Sequence, residues 1–452
     1  MTLFSIEFFL IFTCFFVVYH LVDKTSIQNK LLLIFNLSLL YSISAYMLTI
    51  ILIFAFFVHY FAMFIQVRQS KFALLSGISC ITLNLVFFKY FPELKSDIDE
   101  ILMFFNMSES FDFLFPLGLS FYTFNAITYL LFVYQQKEVK PFLDLLTYLS
   151  FFLTIFSGPI FRAINFFDQY DNKKIFIKEN EIITLILFAI VKKIILANYI
   201  GIMLEEYNQD ISSLSVLGLL NIVWLYSLML YFDFSAYVDI VKALGLMLGY
   251  TLPTNFNMPY TASSIKEFWQ KWHISLSSFF RDFVYIPLGG SKKGFLRTQI
   301  NVFIVFLLSG IWHNNTLNFA IWGALHGLCL ILFNIKSKYI KKQLPSIIAK
   351  LITFNTVSIL WAFFYFSSFD DTYTYFQSFL LNNQTTSKDI LICVMIFTWF
   401  ISYQYSQKLF NGIISIFSNA HAIVKVIIIV LTLIIVFIVM PDGIPNFIYS
   451  SF

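Results

Sequence analysis

The feature that most constrains this chain is a series of apolar runs, most of them long enough to cross a lipid bilayer. They lie at 3–22, 31–46, 47–66, 72–90, 116–136, 183–200, 214–232, 299–312, 317–335, 346–366, 390–407 and 423–440. A membrane-spanning helix needs about 20 apolar residues, and the runs 31–46 and 299–312 are shorter than this. We therefore predict an all-α polytopic membrane protein with about 10 to 12 transmembrane helices, organised as a single transmembrane domain over residues 1–452.

Composition supports a membrane location and excludes other classes of protein. Of the 452 residues, 59% are hydrophobic and 12% are charged, whereas soluble domains average about 25% charged residues. The net charge is only +4 and the basic residues are scattered, so we expect membrane lipid as a partner and no nucleic acid. The four cysteines lie in apolar runs without a CxxC pair, so we expect neither a disulfide nor a metal site.

Basic residues indicate the orientation of the helices, because loops rich in Lys and Arg remain in the cytoplasm. They occur at Arg68 and Lys71, at Lys173, Lys174 and Lys178, at Lys292, Lys293 and Arg297, and at Lys336, Lys338, Lys341 and Lys342. Since Arg297 and Lys336 are both predicted to be cytoplasmic, the segment between them is predicted to be a hairpin with Asn314–Asn318 at its far turn. The run 3–22 lacks a basic segment before it and a cleavage site after it, so we expect a retained helix and not a signal peptide.

Two stretches are predicted to be re-entrant or interfacial, at 144–160 and 253–290. Within the second, Ser264–Phe283 is predicted to be one amphipathic helix, opened by a capping box of Ser264 and Glu267. Its apolar residues recur at helical spacing, and Trp269 and Trp272 suit the headgroup level of a membrane interface. His273 lies on the border of the apolar arc, so it either faces solvent or lipid, or belongs to a site.

His326 is the strongest candidate for chemistry. It lies in the apolar run Asn318–Asn334 with about eight residues on either side, and an ionisable group at that depth usually faces a cavity or a polar partner. Gly323 and Gly327 would let a second helix approach closely beside it. The other interpretation is a structural histidine that forms a hydrogen bond across helices. We favour the functional interpretation of His326. His313 precedes His326 by 13 residues, about 20 Å along a straight helix, so the two meet only if the chain turns at Asn314–Thr316.

Other polar residues in apolar surroundings have a structural interpretation. Asp233 and Asp239 need partners so close to lipid, and with Asn257 they are predicted to form a structural polar network; a substrate channel is the other possibility. The sequence contains no GxxxxGK[ST], GxSxG or HExxH motif, which leaves ATP hydrolysis, serine hydrolysis and zinc proteolysis unsupported. We expect no metal and no bound cofactor.

Several segments resemble a known family. The long ones are Asp233–Asp239, Asn255–Tyr260, Glu267–Gly290 and Gly310–Gly327, and weaker ones are Pro116–Phe124, Ser157–Arg162 and Asn446–Tyr449. They resemble the membrane-bound O-acyltransferase superfamily, in particular the bacterial branch that O-acetylates alginate and peptidoglycan, with a motif-bearing core over about 116–335. The branch of teichoic-acid D-alanyl transferases shares the Phe-Trp-x-x-Trp-His and His-Gly elements. One departure is Asn314, where the acetylating branch usually has Gly after the histidine.

The resemblance implies an acetyl transfer across the membrane. The essential histidine of the superfamily corresponds to His326, which would act as general base, while His273 or His313 would orient the acyl group or stabilise an oxyanion. The implied donor is a cytoplasmic thioester, acetyl-CoA. Its phosphates are predicted to meet Lys271, Arg281, Lys292, Lys293 or Arg297.

The acceptor and the partners also follow from the resemblance. It implies a bacterial inner-membrane protein that passes the acetyl group to a separate periplasmic acetyltransferase. Peptidoglycan is favoured over alginate, because the excess of Phe, Ile, Asn and Lys indicates an AT-rich genome whereas alginate producers tend to be GC-rich. D-alanyl transfer to teichoic acid, a transporter that moves the acyl group without chemistry, and a structural scaffold remain open.

Overall fold

In the computed structural model, the described residues are 5–104, 115–176, 178–340, 342, 344–381 and 383–441. The predicted motif Asn446–Tyr449 and the basic residue Lys341 lie outside them. The described secondary structure is entirely helical. The chain divides into two compact units, Met1–Lys178 with Leu244–Pro253, and Glu179–Ala243 with Thr254–Phe452. This division does not test the prediction that residues 1–452 form a single transmembrane domain.

The first unit is built from the N-terminal helices. They are α1 (Ile6–Leu21), α2 (Thr25–Ile43), α3 (Ala45–Arg68), α4 (Lys71–Phe104), α5 (Leu119–Gln136), α6 (Phe142–Leu149) and α7 (Ala163–Tyr170). The stretch predicted to be re-entrant, 144–160, contains the end of α6 and irregular turns. Asn36 of α2 holds it, donating to the carbonyl of Thr147 and accepting from the amide of Phe152. Irregular backbone inside a membrane protein needs such internal partners.

The second unit carries the motif-bearing residues from 179 onward. Its helices are α8 (Glu179–Ile190), α9 (Asn198–Asn208), α10 (Val216–Met247, of which residues up to Ala243 belong here), α11 (Ile265–Lys271), α12 (Ile274–Phe280), α13 (Phe295–His313), α14 (Leu317–Tyr339), α15 (Ser346–Leu360), α16 (Ala362–Tyr365), α17 (Phe369–Ser378), α18 (Ser387–Tyr403), α19 (Ser406–Asn419) and α20 (Ala422–Val439). Two π-helical turns interrupt the series, Val191–Ala197 between α8 and α9 and Arg281–Tyr285 after α12.

The all-α polytopic membrane architecture is confirmed. Within the described residues, eight helices are long and apolar enough to cross a membrane, or nine if α18 and α19, which bend by 61°, form one span. The predicted number of transmembrane helices, about 10 to 12, is higher because some apolar runs form helices that are too short or too polar to be counted as spans. α1 has 16 residues, about 24 Å of helix against about 30 Å of hydrocarbon. α5 has 18 residues but includes Asn125, Gln135 and Gln136, so it is not apolar enough to be counted as a span.

The predicted single amphipathic helix over 264–283 is wrong. α11 ends at Lys271 and α12 begins at Ile274, because His273 adopts a left-handed conformation with φ of +43°. The helix start is as predicted, since the Ser264 hydroxyl accepts from the Glu267 amide at 3.1 Å. The Glu267 carboxylate, however, accepts from the amide and hydroxyl of Ser263 instead of returning to Ser264. The apolar face is buried in protein, where Trp272 is 1% exposed, and is not a lipid-facing stripe at this residue.

Candidate active site

The site is organised by the hairpin of α13 and α14, which is confirmed. α13 ends at His313 and α14 begins at Leu317, so the chain turns where the sequence predicted. The glycines beside His326 make the close approach possible. A Cβ on Gly323 would lie 2.4 Å from the carbonyl oxygen of Phe306 and 3.2 Å from the Cα of Gly310. Such distances leave no room for a side chain, so backbone packs directly on backbone one turn before His326.

His326 is completely buried, with 0% of its surface exposed. Four aromatic rings surround the imidazole. Their centroids lie at 4.9 Å for Trp322, 5.0 Å for Trp269, 6.0 Å for Trp361 and 6.4 Å for Phe306. We call these four residues the aromatic cage. They come from α11, α13, α14 and the residue between α15 and α16, so the cage forms only when these elements pack together.

Neither ring nitrogen of His326 has a hydrogen-bond partner among the described residues. Most buried polar side-chain atoms have one, and leaving a buried polar group without a partner costs about 1–3 kcal/mol. The packing interpretation, a histidine that bonds across helices, therefore finds no support in these contacts. A neutral imidazole in this position offers one proton acceptor and one donor to a molecule that enters the cage.

His313 lies close to the cage. Its ring contacts the same indole as His326, with a centroid distance of 5.4 Å to Trp322, and it also packs against Phe364 at 5.2 Å. The turn at Asn314–Thr316 therefore brings the two predicted histidines to one tryptophan. Thirteen residues of unbroken helix would have kept them about 20 Å apart.

His273 is buried, with 1% of its surface exposed, so the solvent-facing or lipid-facing interpretation is wrong. Asn255 holds the helix break at this residue: its carbonyl accepts from the amide of Ile274 at 2.9 Å, and its side chain accepts from the amide of Ser275 at 3.2 Å. The ring packs edge-on against Phe234 of α10 at 4.9 Å. Burial lowers the pKa of His273 to about 3, because desolvation disfavours the imidazolium. The ring is therefore neutral near pH 7.

The two aspartates of α10 are each paired with a lysine. Lys193 pairs with Asp233, both 2% exposed at the side chain, and Lys192 donates to Asp239 at 2.6 Å. Both lysines belong to the π-helical turn Val191–Ala197. Sequence reasoning missed them, although two adjacent lysines inside an apolar run were a usable signal.

Asn257 is not part of this network. It is exposed and contributes its backbone amide to the carbonyl of Lys271 at 3.0 Å. The buried asparagine of the motif is Asn255, which is 0% exposed.

A cavity of about 930 Å³ lies along the second half of α14. Cys329, one helical turn after His326, contributes to its wall, and Lys336 and Lys342 line it further along. The wall opposite includes Ser264 and Ile265 at the start of α11. The cavity therefore extends from one helical turn beyond His326 to the basic end of the hairpin, and neither His326 nor a residue of the aromatic cage lines it.

The residues predicted to bind the donor lie elsewhere. Lys271 is engaged by Glu267 at 2.7 Å and by Thr261 at 3.0 Å, and Arg281 pairs with its neighbour Asp282 at 2.7 Å. Lys292, Lys293 and Arg297 are exposed near the start of α13. They share an end of the hairpin with Lys336, since Gln299 of α13 accepts from Asn334 of α14 at 3.0 Å. None of the five lines the cavity.

A family model described as the membrane-bound O-acyltransferase family matches residues 137–370, slightly more than half of the chain. The matched region contains every residue of the aromatic cage and both paired aspartates. The chain belongs to this family. The family predicted from the sequence motifs is thereby confirmed, and this membrane-bound O-acyltransferase carries its buried histidine within the matched region.

Several curated proteins resemble this membrane-bound O-acyltransferase. A peptidoglycan O-acetyltransferase of Helicobacter pylori is 33% identical over 57% of this chain and 55% of its own length. A probable alginate O-acetylase AlgI of Pseudomonas aeruginosa is 32% identical over 66% of this chain and 58% of its own length. A teichoic acid D-alanyltransferase of Bacillus subtilis is 33% identical over 56% of this chain and 68% of its own length. The chain thus spans about half the length of the O-acetylating relatives that it matches.

Proposed function

We propose that this chain is a membrane O-acetyltransferase. It moves an acetyl group from a cytoplasmic thioester, acetyl-CoA, to a hydroxyl of a periplasmic acceptor protein, which O-acetylates cell-wall peptidoglycan. The observation that carries the proposal is His326, which is fully buried near the middle of an apolar helix and whose ring nitrogens have no hydrogen-bond partner among the described residues. The similarity to a peptidoglycan O-acetyltransferase supports the choice of reaction. The location that fits is the bacterial inner membrane.

His326 acts as the general base in this reaction. Its unprotonated ring nitrogen takes the proton of the acceptor hydroxyl while the hydroxyl oxygen forms a bond to the thioester carbonyl carbon. The tetrahedral intermediate then re-forms the carbonyl and breaks the C–S bond. The leaving thiolate takes the proton from the imidazolium, which restores the neutral base. The aromatic cage keeps water out, so the thioester is not lost to hydrolysis.

The cavity beside α14 suits the donor. Ten residues separate His326 from Lys336, about 15 Å along the helix, so a donor with its thioester at the end of an extended arm can reach the cage from there. Lys336 and Lys342 would hold the phosphates at the basic end. We favour this pair over the five residues named from the sequence, because the pair lines the cavity.

A labelled-substrate experiment tests the proposal. Membranes containing the wild-type chain receive acetyl-CoA labelled in the acetyl group, together with a periplasmic extract and peptidoglycan, and alkali-labile acetyl ester on the glycan is counted. We expect His326→Gln, which keeps a polar side chain of similar size, to reduce transfer by about 10²–10⁴-fold, the usual contribution of a general base. Full transfer by this variant at wild-type expression would refute the role of His326.

The donor side is tested separately by paired variants. Lys336→Ala with Lys342→Ala should raise KM for acetyl-CoA about tenfold, because two phosphate contacts are lost. Lys292→Ala with Lys293→Ala is the matched control, since it removes the same charge at the same end of the hairpin but outside the cavity. If both double variants raised KM for acetyl-CoA equally, the effect would come from the positive potential of the whole surface and not from binding in the cavity.

D-alanyl transfer is the second candidate function. The observation in its favour is the similarity to a teichoic acid D-alanyltransferase, of which this chain covers 68%. The same membranes, supplied with labelled D-alanine thioesterified to a carrier protein and with teichoic acid as acceptor, separate the two functions. Label entering teichoic acid from this donor, with none entering peptidoglycan from acetyl-CoA, would replace acetyl transfer by D-alanyl transfer. Alginate as acceptor, for which the similarity to AlgI argues, is tested by exchanging the glycan.

A further inference from the structure

The aromatic cage contains three tryptophans with the same unusual property. The indole nitrogens of Trp269, Trp322 and Trp361 are each buried without a hydrogen-bond partner among the described residues. Trp322 and Trp361 are 1% exposed. Trp224, which lies outside the cage, differs from them, because its indole nitrogen donates to the side-chain oxygen of Asn355 at 3.0 Å.

These nitrogens give the cage a one-sided chemistry. An indole N–H donates a hydrogen bond and accepts none. Three such donors belong to rings that pack around the His326 imidazole, which in its neutral form adds one donor and a single acceptor. Buried donors are seldom left without a partner, and all three indole rings lie within 6.0 Å of the His326 ring, centroid to centroid. The cage is therefore complementary to a group with a strong acceptor atom next to the base.

We propose that the indole N–H groups of Trp269, Trp322 and Trp361 bind the acyl carbonyl oxygen and stabilise the oxyanion. This inference rests on the proposed acyl transfer. When the acceptor oxygen attacks, the electron pair of the C=O double bond moves to the carbonyl oxygen, and the three donors share the resulting charge. When the C–S bond breaks, the pair returns and the N–H groups bind a neutral ester carbonyl again.

The setting explains why tryptophan supplies these donors. Oxyanion holes in soluble enzymes often use backbone amides, but inside a bilayer the helix backbone already satisfies its own amides. A lysine or arginine at this depth would carry a charge that is costly to bury. An indole N–H is neutral, its ring is apolar, and it strengthens as a donor where the dielectric constant is low. Tryptophan therefore provides a donor that the membrane interior tolerates.

Substitutions that remove the N–H but keep an aromatic ring test the inference. Trp322→Phe and Trp361→Phe should each lower kcat for acetyl transfer by about 10²–10³-fold, the usual effect of losing one oxyanion donor, with KM for acetyl-CoA unchanged. Trp224→Phe is the matched control and should leave kcat within about twofold, because its N–H serves a contact outside the cage.

A second substitution separates hydrogen bonding from packing. Benzothienylalanine, incorporated at position 322 or 361, has nearly the shape of tryptophan with sulfur in place of the N–H, so it leaves no cavity. We expect benzothienylalanine to reduce kcat as strongly as phenylalanine does. Because it fills the same space as tryptophan, it gives this result even at a position where the phenylalanine variant folds poorly. Wild-type kcat with benzothienylalanine at both positions, while His326→Gln is inactive, would overturn the role of the indoles and leave the proposed function intact. An active His326→Gln would instead contradict the proposed function itself.

Discussion

A single methyl group at Gly323 should disable the site without touching its chemistry. Gly323 faces Gly310 across the α13–α14 hairpin, and a Cβ at Gly323 would lie 2.4 Å from the backbone oxygen of Phe306. Ordinary contacts of a Cβ begin at 3.4 Å, so the helices must separate by about 1 Å in Gly323→Ala, the difference between the two distances. Backbone on both sides cannot rotate out of the way as a side chain would.

The size of the effect follows from this displacement. Overpacking of a well-packed contact costs about 1–3 kcal/mol. His326 lies one turn after Gly323 and moves with it relative to Phe306 on the facing helix. A misplacement of about 1 Å in a site costs about 10²-fold in rate. We therefore expect Gly323→Ala to lower the melting temperature measurably and to reduce acetyl transfer about 100-fold.

Thermal unfolding in detergent and the labelled acetyl-transfer assay measure both effects. Gly412→Ala is the matched control, since a Cβ at Gly412 in α19 meets nothing within 4 Å. Alanine there should raise stability by up to about 1 kcal/mol through helix propensity and leave transfer unchanged. If Gly323→Ala melted and transferred acetyl like the wild type, the direct backbone packing beside His326 would be refuted.

Two further predictions concern the charged and titratable groups of the second unit. Lys193→Met should destabilise the protein by about 3–5 kcal/mol, because it leaves the buried Asp233 carboxylate without this cation. The control Lys388→Met breaks an exposed pair with Glu206 and should change stability by at most about 1 kcal/mol. Equal melting temperatures of the two variants would contradict this prediction. The pKa of His273 is about 3 in the folded protein and 6.5 ordinarily, so the unfolded chain binds a proton there that the folded chain does not, and stability should fall as the pH drops from 6.5 towards 3. His273→Asn, which tolerates the left-handed backbone at this position, should make the melting temperature less dependent on pH over that interval, and an unchanged slope would count against a buried neutral imidazole.

The sequence predicted those parts of the site that depend on local spacing. The hairpin followed from the charges of Arg297 and Lys336, and the close helix approach followed from Gly323 and Gly327. Both predictions depend on residue spacing and on the cost of placing charge in lipid, and these can be evaluated within a single segment of the sequence. Position 326 was identified for the same reason, since the depth of a residue in an apolar run can be counted.

The parts that were missed depend on distant segments. The left-handed turn at His273 is held by Asn255, which lies 18 residues earlier, and nothing in the pattern of 264–283 indicates it. Trp269 and Trp272 were assigned to the headgroup level because a helical wheel cannot distinguish a lipid-facing stripe from one buried in protein. Lys192 and Lys193 likewise find their aspartates only through the packing of α10.

The conformation of His273 sets two separate requirements on one position. The backbone there needs a residue that tolerates a left-handed φ, which glycine and asparagine do best and histidine does better than most. The ring fills the space against Phe234, which glycine would leave empty. Alanine meets neither requirement, so the customary alanine substitution at His273 would strain the backbone as well as remove the ring. Its phenotype could not be assigned to the imidazole. Asparagine tolerates the left-handed turn and lacks the imidazole, so a comparison of asparagine with alanine would separate the effect of the backbone conformation from the loss of the ring.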